Sequence, residues 1–279
     1  MKKVIVLLLA AVLLLSVIGC KKAENKKLTV AMSPDFAPME FVDTSKSGQE
    51  QYVGFDVTLA NFLAKELGME LEIKPMSFDA CMTAVQLGSV DMAISGFSWK
   101  PDRAENFLLS DYYIAGDNET QQSVITVKAK ENTCKTQADF SGWKVGAQAS
   151  SLQEQLVKDE LIPAGAELVV YKSIDDAVLA LQTGKIDALA VAHGNGEAII
   201  ANNPDLAFTG FDFDVDPKYE NNVILLNKSN TEMLEKVNKV LAKAMAAGVY
   251  DGWYEDAKAL AGIPTAADVS YDDDGKPVS

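Results

Sequence analysis

"VGFDVTLANFLAKELGMELEIKPM", residues 53–76, holds two periodicities back to back. Val57, Leu59, Phe62, Leu63 and Leu67 recur at helical spacing, which gives the opening residues a single apolar face. Gly68 follows, the residue best suited to ending a helix. Beyond it, "MELEIKPM" alternates as a strand does. Upstream, "KLTVA" at 27–31 reads as a first strand, followed by the loop "MSPDFAPMEF". Downstream, a helix from about Asp79 to Leu87 ends at Gly88 and leads into the strand "SVDMAISG" at 89–96. The order β–α–β–α–β predicts an α/β fold, a sheet with crossover helices.

The unit recurs. "AVQLGSVDMAI" at 84–94 lines up with "ALQTGKIDALA" at 180–190: a helix end, a capping Gly, then a strand opening on Asp. The second copy sits among "WKVGAQ" (strand), "SLQEQLVKDEL" (helix), "AELVVYK" (strand) and "SIDDAVLALQTG" (helix). Ser173 and Asp176 there are spaced like a capping box with Asp in place of Glu. "NNVILLNKS" reads as a return strand, and residues 230–257 as one amphipathic helix expected to pack back on the first half. The predicted division is lobe one over 28–120 and 222–262, and lobe two over 121–221. Residues 263–279 read as an acidic tail without fixed structure. Two lobes joined by two crossing segments leave a cleft, the usual place for a small ligand.

Composition narrows the partners. The 279 residues carry a net charge of −15, which argues against nucleic acid. One His and three Cys argue against a multi-ligand metal site, and no cofactor is expected. Cys81 and Cys134 read as small buried side chains. Lys2 and Lys3 precede an apolar stretch from Val4 to about Ile18, the pattern of a signal peptide over 1–19. It ends "SVIGC", which resembles a bacterial lipobox with Val17 where Leu is commoner, and makes Cys20 the expected lipidation site. Residues 20–27 then read as a polar tether, and the chain as membrane-anchored, extracytoplasmic and monomeric.

"SGFSWKPDRAENF", 95–107, contains the only arginine beside 24 lysines. A planar guanidinium grips a carboxylate in bidentate fashion and keeps its charge when buried, which an ammonium does less well. Pro101 and Asp102 suit a first helical turn, so a positive helix end faces the same place.

"SPDFAPMEF", the stretch 53–68, "MSFDACMTAVQLGSVDMAISGFSWKPDRAENFLLSDYY" and "GWKVGAQASSLQEQ" resemble, in order and spacing, the polar amino-acid-binding proteins of bacterial ABC importers. The resemblance runs from about Leu28 to about Tyr254. It implies a two-lobed, type II periplasmic-binding-protein-like fold that closes on an amino acid or related small carboxylate and delivers it to a membrane permease. It also implies site roles. Arg103 takes the α-carboxylate; the Gly96 carbonyl takes the ammonium beside Ser95; Ser98 contacts both. Phe36 and Phe78 bracket the solute's side chain. Ser151 and the Leu152 N–H stand at the carboxylate contact of lobe two, where Ser150 replaces the family's glycine.

Two positions depart from the family. Ala192 stands where an Asp usually pairs the α-ammonium, and an unpaired buried charge is costly. Either Glu197 or Asp35 takes the amine, or the solute has none. His193 beside it reads as a solvated loop residue, with the cleft as the alternative. Lys100 replaces a helix-capping Thr; it is either tolerated at the surface or a second cation that favours an acidic solute. Trp99 is a packing residue or a wall of the ligand site. Two other functions stay open on this scaffold: a cyclohexadienyl-dehydratase-like enzyme, and a sensory ligand-binding protein.

Overall fold

The computed structural model describes residues 26–113, 121–219, 221–265, 268, 270–271 and 277–278. Cys20 and the apolar stretch before it lie outside these residues. Among those described, no helix is long and apolar enough to cross a membrane.

Two five-stranded sheets carry the molecule. In the first, β1 (Lys27–Met32) runs parallel to β5 (Glu70–Pro75) over six residue pairs and to β6 (Met92–Ala93) over two. An antiparallel strand, β13 (Leu225–Leu226), pairs with β6 and with β7 (Leu108–Leu109). In the second, β9 (Lys144–Gln148) runs parallel to β10 (Glu167–Tyr171) and to β11 (Ala188–Ala192). Here β8 (Gln122–Val127) is antiparallel to both β11 and β12 (Leu206–Asp212). Each sheet thus places its first parallel strand between the second and the third. The chain leaves neighbouring strands in opposite directions at that point, so their carboxyl ends open a crevice where ligands bind in α/β sheets. Residues 33–36, 95–98, 149–152 and 192–193 all lie at such ends.

The helices follow the apolar spacing. In the first unit, α1 (Phe55–Glu66) buries Leu59, Ala60 and Leu63 against β1 and β5, and α2 (Phe78–Gln86) buries Cys81 and Val85. In the second, α4 (Leu152–Leu156) runs on into a π-turn over Val157–Leu161, while α5 (Ile174–Gln182) and α6 (His193–Asn202) flank the sheet. Between α2 and α4 in the chain lies α3 (Pro101–Asn106), only six residues long. A small sheet of β2 (Asp35–Phe36), β3 (Glu40–Val42) and β4 (Tyr52–Val53) folds the loop after β1 over the crevice. Cys81 and Cys134 are free thiols buried in the two halves.

Three expectations change. The strand at 89–96 contracts to Met92–Ala93, because Ser95 and Gly96 turn out of the sheet. The single C-terminal helix is two, α7 (Thr231–Ala247) and α8 (Tyr250–Leu260). Gly248 separates them at φ +62°, a left-handed conformation that ends a helix. The bend lets Val237 and Leu241 of α7 and Tyr250 and Tyr254 of α8 all reach the core of the first sheet around Phe55. Finally, the tail is not wholly without order: β14 (Ser270–Tyr271) pairs antiparallel with β15 (Pro277–Val278).

Candidate functional site

Arg103 is 1% exposed and lies between the lobes. Long helical side chains point back toward their helix's N-terminus. Accordingly Nη1 donates to the Ser98 carbonyl at 2.5 Å, just ahead of α3, while Nη2 reaches across to the Ser150 carbonyl of the second lobe at 2.9 Å. Two stacked rings support the guanidinium: Phe78 and Phe97 lie 4.5 Å apart, with the Arg103 Cζ 5.5 and 5.3 Å from their centroids. Nε is buried with no hydrogen-bond partner. Burial lowers the pKa of Arg103 to about 10, and Asp102 partly offsets this, so the group stays cationic at neutral pH. A buried cation with an unspent N–H has the chemistry to take an anion.

The other predicted residues of lobe one form a corner beside it. Gly96 has φ +56°, and Phe36 lies on its bare Cα: a Cβ there would stand 2.6 Å from Phe36 Cε1. Phe36 also packs against the cores of both sheets. Phe78 takes the opposite role, in the core and stacked on Phe97. The Ser95 hydroxyl is turned inward. It donates to Glu40 and accepts the Ser33 N–H at 3.0 Å. Ser98 contributes its carbonyl, already described. Trp99 packs on the Phe78 cluster and stacks at 6.3 Å on Tyr219.

Beneath this corner lies a carboxyl pair that spacing alone did not reveal. Asp56 accepts the Gly96 N–H at 2.8 Å and the Tyr113 hydroxyl at 3.0 Å, and Glu40 accepts from Ser95. Both acids are fully buried. Burial raises the pKa of Asp56 to about 7 and that of Glu40 well above its usual range, with Asp56 adding repulsion. Both carboxyls therefore hold their protons in mild acid, since two unshielded charges at this site are prohibitive, and Asp56 is the first to give its proton up as pH rises. A raised native pKa stabilises the fold below the unfolded value and loses that stability as pH climbs through the native one. The wild type is therefore expected to lose stability relative to Asp56→Asn between about pH 4 and about pH 7, by up to ~1.4 kcal/mol per pH unit. Urea unfolding of both proteins across that range measures it; a relative gain with rising pH refutes the raised pKa of Asp56.

In lobe two, Ser151 is spent as an N-cap: its hydroxyl accepts the Glu154 N–H at 3.0 Å. Glu154 returns the contact by accepting the Ser150 N–H at 2.5 Å. Ser150 stands at φ +64°, the conformation the family's glycine adopts freely. Leu152 is buried in the lobe-two core. Around Arg103, Ser150, Ser151, Lys100 and Glu154 line a cavity of about 370 Å³. Lys100 is 11% exposed at its side chain, and burial and then Arg103 lower its pKa. It offers no cap to α3.

Ala192 is 2% exposed and precedes α6, so its methyl stands where an acid would have been the cap. Glu197 does not replace it. It lines a separate cavity with Lys128, Phe208 and Pro264. His193 opens α6 with its side chain 23% exposed; the ring stacks on Phe208 at 4.4 Å, and its Nδ1 meets Ser123 Oγ at 2.8 Å. Ser123 in turn donates to Asp212. Asp35 is at the crevice, with a pKa raised by burial. It accepts the Ile174 N–H at 2.8 Å, Gln148 Nε2 at 3.3 Å and the Ser33 hydroxyl at 2.8 Å. The sequence reading passed over Phe97, Gln148, Asn195 and the Glu40–Asp56 pair; Phe97, inside "SGFS", was the one within reach of the quoted motif.

The chain as a whole is similar to known proteins. The amino acid ABC transporter substrate-binding protein AbpA from Streptococcus pneumoniae, bound to L-arginine, superposes with a TM-score of 0.77 at 35% identity, covering 86% of this chain and 97% of that one. The arginine-binding extracellular protein ArtP of Bacillus subtilis (strain 168) is 29% identical over 247 residues, 86% of this chain and 92% of ArtP. The ABC transporter arginine-binding protein 1 of Escherichia coli (strain K12) is 28% identical over 259 residues, 89% of this chain and 98% of that protein. A sequence profile spanning residues 28–256 completes the comparison: the chain belongs to the bacterial extracellular solute-binding proteins, family 3.

Proposed function

We propose that this chain is the receptor of an ABC importer for an L-α-amino acid, with L-arginine the first solute to test. The observation that carries the reading is the Arg103 guanidinium, buried between the lobes, tied to a carbonyl of each, with Nε unspent. In this reading a carboxylate docks there, aided by the Leu152 N–H. The Gly96 carbonyl takes the α-ammonium in place of the acid missing at Ala192. Asp56, bonded to the N–H of Gly96, puts negative charge behind that residue. Phe36 holds the side chain. Closure joins lobe one (28–120 and 222–262) to lobe two (121–221) and presents both to a permease. Cys20 carries the lipid anchor after removal of 1–19, and the protein works as an extracytoplasmic monomer that releases its solute unchanged. The proposal of L-arginine draws on the relatives, two named for arginine binding and one bound to it.

The test is mass spectrometry of solute carried through purification, then calorimetry with L-arginine, L-histidine and L-glutamine. The expected result is one unmodified amino acid per chain. Recovery of a converted product instead, or no binding of any amino acid, overturns the reading.

A further inference from the structure

The loop that leaves β1 touches the second lobe at places that share no lining residue with the Arg103 cavity. Asp35 accepts the Ile174 N–H at 2.8 Å, and Gln148 Nε2 points at the same carboxylate. Ile174 opens the nine-residue α5, whose positive end favours an anion. The Ser33 hydroxyl donates to the other Asp35 oxygen at 2.8 Å and fixes the carboxylate's direction. A second tie stands beside the first. Asn195 of α6 is 1% exposed, and its Nδ2 donates to the Ala37 carbonyl at 2.9 Å. Ala37 and Phe41 then pack on Ala198 of α6 and on Ala261 and Ile263.

These two bonds join residues 139 and 158 positions apart, one from each lobe, so they exist only while the lobes are together. Their polar atoms face protein across the crevice. The α5 amide is matched to Asp35 and the Asn195 Nδ2 to the Ala37 carbonyl, while Asn195 Oδ1 is buried without a hydrogen-bond partner.

We propose that Asp35 and Asn195 form a closure latch: positioning residues that hold the lobes together without touching the solute. The latch rests on the reading of the chain as a receptor that closes. It makes a distinctive prediction. A residue that only sets the closed population scales the affinity for every solute by one factor, whereas a residue in contact with solute alters the ratio between solutes.

The experiment uses Asp35→Ala, Asn195→Ala, the double variant, and Asp35→Asn, which keeps an acceptor for the Ile174 N–H. Calorimetry with L-arginine, L-histidine and L-glutamine is paired with solution X-ray scattering of the protein without added amino acid. Asp35→Ala is expected to raise Kd about tenfold for each amino acid the wild type binds, through faster dissociation. Asp35→Asn recovers most of that loss. The double variant, checked by circular dichroism for an intact fold, shows a larger radius of gyration than the wild type. Unchanged affinities with an unchanged radius overturn the latch, and so does a loss confined to one amino acid. If the wild type binds none of the three, the receptor reading fails by itself, and the scattering comparison still decides whether Asp35 and Asn195 hold the lobes.

Discussion

Arg103→Lys is expected to weaken capture of a carboxylate solute by at least about tenfold, while the melting temperature of the solute-free protein moves by less than about 3 °C. Arg103 serves three surfaces at once: the Ser98 carbonyl, the Ser150 carbonyl and the slab of Phe78 and Phe97. Its planar fork does this while leaving Nε for an incoming oxygen. A lysine ammonium concentrates its donors on one atom. It cannot span both carbonyls and still meet a carboxylate in bidentate geometry, and it lies less well on an aromatic face. A charge-assisted hydrogen bond contributes about 1.5–3 kcal/mol, and ~1.4 kcal/mol is already a factor of ten. Stability is less affected because the aliphatic stem and the positive charge persist. Alanine is the poorer probe, since it empties the space above Phe78 and confuses binding with packing. Isothermal calorimetry with L-arginine, beside calorimetric melting without it, separates the two effects. Equal affinity in the lysine variant removes Arg103 from the site.

The residues that carried the fold were those whose periodicity is local. Leu59, Leu63 and Gly68 write a helix and its end within one stretch, and the unit around Gly184 writes the second. Arg103 was legible for another reason, being a single guanidinium next to a Ser-Gly corner. What stayed hidden depends on distance along the chain. Gln148 and Asn195 meet their partners across 113 and 158 residues, and nothing in their own neighbourhoods signals it. Glu40 reads as a loop acid and Asp56 as an ordinary acid in the first turn of a helix; only the packing of Tyr113 and Ser95 over them makes them a buried pair. Glu197 shows how one misassigned element misleads. Taken as a loop residue, it is free to reach the amine. On the helix His193–Asn202, residues two apart point to roughly opposite faces, about 200° around the axis. Asn195 faces lobe one, so Glu197 cannot; it shares the face of His193, 3.9 Å away.

Gly96→Ala is the second large effect expected, a loss of amino-acid affinity of about a hundredfold, and its cause is open to dissection. The residue sits at φ +56°, where a Cβ costs roughly 1–2 kcal/mol in backbone strain. The added methyl would also stand 2.6 Å from Phe36 Cε1 and 3.0 Å from Cδ1, well inside contact distance. Either the ring moves or the corner does. Both are costly to binding: Phe36 packs on the cores of the two lobes together, and the corner carries the Gly96 N–H bonded to Asp56. Phe36→Ala separates these causes. If the clash dominates, Gly96→Ala costs little further affinity once the ring is gone, and the two substitutions are strongly non-additive. If backbone strain dominates, the second substitution costs as much in the Phe36→Ala background as in the wild type, and the loss appears equally in the unfolding free energy. The 2.6 Å approach favours the first outcome, because residues in direct contact couple by about 0.5–3 kcal/mol while strain at one dihedral stays local. Full additivity in calorimetric Kd values would mean that Phe36 and Gly96 act on the solute separately, and that the ring does not rest on the bare Cα in the closed state.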